Sequence, residues 1–200
     1  MSNINYNFEQ LKQQLHKNFT SGKTPKDAAY AEKRFTHTLG VVETAEKLAK
    51  IYGVDVEKAR IAALLHDCAK FHKYNDFSRK HGIKLDEEIL KYPKVIHSFL
   101  GVFVAKVEYG IEDVEILNAI KYHTTGKPDM TVLEKIVYLA DAIEPGREEY
   151  EYLIEGRKLA NEDLDKAVAF ILERTIKYVK ERKLELCYLT EDAYEWYRKK

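Results

Sequence analysis

The chain contains only two cysteines, Cys68 and Cys187, far apart and outside any CxxC spacing. That scarcity argues against a disulfide scaffold and fits a reducing compartment, so a cytoplasmic location is expected. Net charge is absent: 33 Lys and Arg balance 33 Asp and Glu, and neither nucleic acid nor a membrane surface is expected as a partner on electrostatic grounds. No apolar run approaches the roughly 20 residues that span a bilayer, and the polar start MSNINYNFEQLKQQ has no signal-peptide core. Proline (4) and glycine (9) are few, and they read as punctuation between segments.

What remains is a 200-residue chain, 45% hydrophobic, long enough for one domain with a substantial core. Apolar residues recur at steps of three and four, and runs of strict alternation are missing, which predicts an all-α fold. A first helix is expected from about Tyr6 to Phe19, and "TSGKTPKD" ends it in a loop. A longer one follows from about Asp27 to Tyr52, with Gly53 as its left-handed cap. Asp55 is placed to cap "VEKARIAALLHD". After a polar segment, Asp76 to His81, and a helix near Asp86 to Tyr92, Pro93 opens "KVIHSFLGVFVAKVEYG". There His97, Gly101 and Ala105 share a face, and the small residues suggest close approach to a neighbour. "EDVEILNAIKYH" ends at His123, and "TVLEKIVYLADAIEP" is stopped by Pro145 and Gly146. A last long helix is expected from about Asp163 to Lys183, and Trp196 falls in a short terminal one.

Several ionisable groups stand at inward-facing positions: His37 before Val41, His66 with Asp67 at the end of "ALLHD", His97, His123 and Asp141. Burying such a group costs several kcal/mol unless it is paired. Any one histidine among them reads as an ordinary hydrogen-bonded core residue, and Asp141 alone as an acid paired with an arginine. Together they need a shared partner, and a metal ion provides one, because imidazole and carboxylate are good transition-metal ligands. His16, His72 and His81 lie in polar surroundings, and Cys68 reads as a small buried hydrophobe.

The blocks "RFTHTLGVVETA", "ALLHDCAK", "HSFLG" and "KYHTTGKPDMTVLEKIVYLADAIEPGR" occur in that order. They resemble the H…HD…D signature of the HD-domain superfamily of metal-dependent phosphohydrolases, and specifically its YqeK-type branch of symmetrical bis(5'-nucleosyl)-tetraphosphatases. The resemblance covers roughly Arg34 to the end of the last long helix. Residues 1–24 are read as an N-terminal extension and 25–200 as the HD-type domain, a helical bundle with the metal site in its core.

The resemblance implies hydrolysis of diadenosine tetraphosphate to two ADP. It implies His37, His66, Asp67 and Asp141 as ligands of a first metal, His97 and His123 as ligands of a second, and Asp67 as the bridge. Four imidazoles argue against magnesium alone and favour iron, manganese or zinc; the resemblance tilts the choice to a di-iron centre. Lys70, four residues after His66, would meet a phosphate oxygen from the same helix face. Thr124, Thr125 and Gly126 would form an anion cradle, and Arg147 would grip a second phosphate. Arg34 would do likewise or pair with an acid. Thr175, Tyr178 and Lys180 are candidates for the ribose, base or far phosphate, although Tyr178 taken alone reads as core packing. Competing readings are an HD phosphohydrolase for nucleoside mono-, di- or triphosphates or guanosine alarmones, and a non-catalytic metal-dependent nucleotide-binding protein. The expected partner is a small nucleotide; the fourteen tyrosines permit a homodimer without requiring one.

Overall fold

The computed structural model describes residues 6–22, 24–147 and 150–200. Its helices are α1 (Phe8–Thr20), α2 (Pro25–Tyr52), α3 (Val56–Leu65), α4 (Tyr74–His81), α5 (Glu87–Leu90), α6 (Ile96–Tyr109), α7 (Val114–Tyr122), α8 (Val132–Ile143), α9 (Glu151–Glu162), α10 (Leu164–Glu181) and α11 (Tyr188–Tyr197). No strand occurs among the described residues, as the helical periodicity predicts, and no helix among them is long and apolar enough to cross a membrane.

Local chemistry sets most helix ends. Thr24 caps α2 ahead of Pro25, Asp55 accepts from the Lys58 N–H at the start of α3, and Thr131 forms a reciprocal capping box with Glu134 at the start of α8. Gly53, Gly82 and Gly110 close α2, α4 and α6 with φ of 66°, 68° and 65°. That left-handed region costs glycine nothing, which is why the helices stop there.

The centre of the bundle is α2 packed on α3 and α8, with α7 against α3 and α8, and α6 against α7. Val41, Ala45 and Leu48 of α2 meet Ala59 and Ala63 of α3 and Ile136 and Val137 of α8 in one apolar core. The close approach expected at Gly101 is present: a Cβ there would lie 3.0 Å from Ile120 Cγ2. Cys68 is buried, with Sγ 3.5 Å from the Gly101 carbonyl oxygen. On the far side of α8, α10 packs between α9 and α11.

The structure departs from the sequence reading in four places. The polar segment Asp76–His81 belongs to helix α4, whose one buried apolar residue is Phe77. Helix α9 is unanticipated because its buried positions, Leu153, Gly156 and Ala160, include two small residues that leave only a faint apolar stripe. Tyr178 is 53% exposed, not core. Helix α3 does not continue to Lys70: it stops at Leu65 and gives way to turns closed by Cys68 N–H to Leu65 O and Lys70 N–H to Asp67 O. The His66 ring explains that stop. Its Nδ1 lies 2.7 Å from the Ala63 carbonyl oxygen, which a continuing helix would give to the backbone N–H of Asp67.

Helix α1 buries Leu11, Leu15 and Phe19 in the same core as α2 and α3. Leu15 is wholly buried, so Leu15→Ala is expected to cost about 2–5 kcal/mol. Urea unfolding should show one transition at a lower midpoint; a loss under about 1 kcal/mol would mean that α1 contributes little to the shared core.

Candidate metal centre

Five helices deliver the ionisable groups to one place. His37 comes from the middle of α2, His66 and Asp67 from the turn after α3, His97 from the first turn of α6, His123 from the end of α7 and Asp141 from the last turn of α8. His66, Asp67 and His123 are buried, and Asp141 is 21% exposed at the mouth. All six expected ligands are thus brought together.

Their orientation is informative. His66 and His123 each donate Nδ1–H to the carbonyl three residues back, at 2.7 and 2.8 Å, which leaves Nε2 with a lone pair. Carboxylate oxygens lie near both of those nitrogens. His66 Nε2 lies 3.5 Å from Asp67 Oδ2 and 3.8 Å from Asp141 Oδ1, and His123 Nε2 lies 3.7 Å from Asp67 Oδ1. His97 Nε2 is 3.2 Å from Asp67 Oδ1, and His37 Nε2 is 3.0 Å from Asp141 Oδ1. The buried atoms His37 Nε2, His66 Nε2 and Asp67 Oδ1 receive no hydrogen bond.

Burial pushes the His66 and His97 rings well below the ordinary imidazole value and His123 down to about 4, so these rings are neutral near pH 7. Burial alone would raise the Asp141 carboxyl, but His37, His66 and Arg147 hold it well below the usual carboxylate range. Neutral imidazoles and an ionised carboxylate that point their lone pairs at one another suit a cation between them. Three overlapping sets have donor atoms within 4.8 Å of one another: His37, His66 and Asp67; His66, His123 and Asp141; and Asp67, His97 and His123. Asp67 belongs to two of them and offers an oxygen to each. The donor set therefore fits a divalent transition metal.

Cationic groups ring the cluster. Lys70 Nζ stands 3.2 Å from His97 Nε2 and 3.6 Å from Asp67 Oδ1, reached from a turn and not from the expected continuous helix. Burial, aided by Arg34, pushes its ammonium down to about 8. Arg34 is ion-paired with Asp67, the acid pairing that its sequence position left open. Arg147 donates from Nε and Nη2 to the Asp141 carbonyl oxygen at 3.1 and 2.9 Å and from Nη2 to Asp141 Oδ1 at 2.8 Å. Thr124 Oγ1 lies 2.9 Å from His123 Nε2, whereas Thr125 is buried and gives its hydroxyl to the Gly126 carbonyl, away from the cluster.

Beside the cluster lies a cavity of about 480 Å³ that shares His123, Thr124, Asp141 and Arg147 with it. Tyr138, Tyr150, Tyr152, Arg174, Thr175 and Tyr178 complete much of its wall. Thr175 and Tyr178 line this cavity, whereas Lys180 lines a different groove, with Glu173, Lys177 and Tyr194. Sequence reasoning missed Tyr138, Arg174 and Glu144. Only Glu144 left a trace: it stands three residues, one helical turn, after Asp141.

The HD domain model matches residues 34–146, more than half of the chain. The chain belongs to the HD-domain family. It is 43% identical over 150 residues to the symmetrical bis(5'-nucleosyl)-tetraphosphatase of Halalkalibacterium halodurans, which covers 74% of this chain and 80% of the relative. It is 38% identical to the enzyme of the same name from Bacillus subtilis, covering 82% of this chain and 89% of the relative. A crystal structure from Clostridium acetobutylicum, described as a predicted HD superfamily hydrolase involved in NAD metabolism, superposes with a TM-score of 0.83 at 38% identity, covering 97% of this chain and 98% of that one. The clustered His and Asp residues lie within the family match, which supports a divalent metal site in this HD domain.

Metal binding should therefore stabilise the fold. With manganese(II) at about 100 times its Kd, linkage of about 2.7 kcal/mol should raise the Tm of chelator-stripped protein by roughly 5–10 °C. Asp67→Asn should remove that rise; an equal rise in the variant would rule out Asp67 as a ligand.

Proposed function

We propose that the chain is a metal-dependent phosphohydrolase that splits diadenosine tetraphosphate and related dinucleoside polyphosphates symmetrically, giving two ADP. The observation that carries the reading is a shared wall: a tyrosine-lined cavity opens directly onto the cluster of metal-type ligands through His123 and Asp141. Two relatives of 38–43% identity that align over most of the chain are named for the same activity.

The reaction adds water across the central P–O–P anhydride: one ADP gains the hydroxyl and the other leaves with a proton. A bound pair of divalent cations would acidify that water and neutralise phosphate oxygens. In this reading His37, His66, Asp67 and Asp141 would hold one cation, and His97 and His123 would help hold a second, with Asp67 available to either. The mixed imidazole and carboxylate donor set suits iron, manganese or zinc better than magnesium, and the resemblance to HD-domain phosphohydrolases tilts the choice to iron.

The chain's own cations take the remaining work. Lys70 places an ammonium next to Asp67 and His97, where a phosphate oxygen would gain charge during attack. Arg147 stands on the wall common to cluster and cavity, and its guanidinium suits a phosphate of the bound ADP moiety. Thr124 offers a hydroxyl at the same edge. Arg34, paired with Asp67, holds that carboxylate in place and is assigned no phosphate. Tyr152 and Tyr178 supply aromatic faces for a base. A cytoplasmic location follows from a nucleotide substrate and the scarcity of cysteine.

Chromatography of products from diadenosine tetraphosphate tests the reading: ADP should be the sole product. AMP plus ATP, or no turnover while a nucleoside monophosphate is consumed, would sink it. Asp67→Ala should abolish turnover with helical circular dichroism retained. Arg147→Ala, which loses a charged hydrogen bond worth about 1.5–3 kcal/mol, should lower kcat/KM roughly 10- to 150-fold.

A further inference from the structure

The imidazoles of the centre are oriented by two different devices. His66 and His123 stand at helix ends and donate Nδ1–H to carbonyls of their own helices. His37 lies in the middle of α2 and is oriented differently. Its Nδ1 meets the Oε1 of Glu144 at 3.0 Å instead.

Glu144 is held firmly for that task. It is 3% exposed, its N–H makes the last backbone bond of α8 to Ala140 O at 3.1 Å, and its Oε2 accepts the Gly146 N–H at 2.5 Å. Arg157 of α9 ties down the same corner by donating to the carbonyls of Ile143 and Glu144 at 2.9 and 3.1 Å.

Two glycines make room for the carboxylate. A Cβ on Gly40 would lie 2.5 Å from Glu144 Oε2, and one on Gly146 would lie 2.9 Å from it. Neither glycine has a positive φ, so backbone conformation does not demand them. Gly40 sits inside α2, where glycine costs about 1 kcal/mol relative to alanine. Space for Glu144 is the reason that cost is borne.

We propose that Glu144 is a positioning residue of the metal centre: its carboxylate accepts a hydrogen bond from the Nδ1–H of His37 and so fixes Nε2 as the electron-pair donor, in a notch kept open by Gly40 and Gly146. The inference rests on the reading of His37 as a metal ligand. A charged acceptor behind the ring also makes its Nε2 a stronger donor than the carbonyl-backed rings of His66 and His123.

The test begins with the full chain stripped of metal by a chelator. Nitrogen-15 imidazole NMR should show His37 as the Nδ1–H tautomer in the wild type and a shift toward Nε2–H in Glu144→Ala. Manganese(II) affinity should fall roughly 10- to 100-fold in Glu144→Ala, and in the same direction in Gly40→Ala, which keeps the carboxylate but fills its notch. An unchanged tautomer in Glu144→Ala overturns the proposal, as does manganese affinity within twofold of wild type while His37→Ala loses binding. If His37→Ala also binds manganese normally, the ligand role of His37 fails and the proposal falls with it.

Discussion

The tightest constraint in this molecule is the crowding of imidazole nitrogens and carboxylate oxygens in one buried cluster. His37 Nε2 points at Asp141 Oδ1 over 3.0 Å, and the Nε2 atoms of His66, His97 and His123 surround Asp67 at 3.2–3.7 Å. Carboxylate oxygens buried among imidazoles are costly on their own, and positive charge between or beside them offsets that cost. Lys70, Arg34 and Arg147 supply part of it from the rim. The geometry of the donors suits a divalent metal for the rest.

The helices around the cluster follow from that requirement. Helices α3 and α7 both end where a histidine turns its Nδ1 back onto its own helix, so ring orientation and helix termination are one event. Helix α2 runs on past His37, and the ring is oriented from outside by Glu144. Close packing is then obligatory. Gly101 lets α6 approach α7 and bring His97 towards His123, and Gly40 leaves space beside α2 for the carboxylate at the end of α8.

The cavity of about 480 Å³ extends the same logic outward. Its inner wall is the cluster itself, and its outer wall is aromatic and lies on α8, α9 and α10, elements whose burial serves the second layer of the bundle. A charged, ligand-rich end and an aromatic end are what a nucleotide presents in mirror image: phosphates to cations, base to rings. The family match covers the residues of the inner end, and the outer wall is where the choice of substrate would be made.

How far the sequence reached can be read from particular residues. Periodicity of three and four determined the all-α class and most helix positions, and the mismatch between polar identity and inward position picked out His37, His66, Asp67, His97, His123 and Asp141, because burial of ionisable groups is too costly to be incidental. It failed for α9, whose contacts depend on Gly156 and Ala160, residues with almost no hydrophobic signal, and it carried α3 too far, because a side chain and not a helix breaker ends it. Lys180 and Thr125 carry the right chemistry but face elsewhere, while Tyr138, Arg174 and Glu144 resemble ordinary helix residues until their helices are packed. The sequence by itself determined the helical class and which ionisable residues stand at inward positions, since spacing records the cost of burying them. Tertiary structure alone decided which lone pairs converge, which cation pairs with which carboxylate and which glycine yields space to Glu144, because those are distances between segments as much as 107 residues apart in the chain.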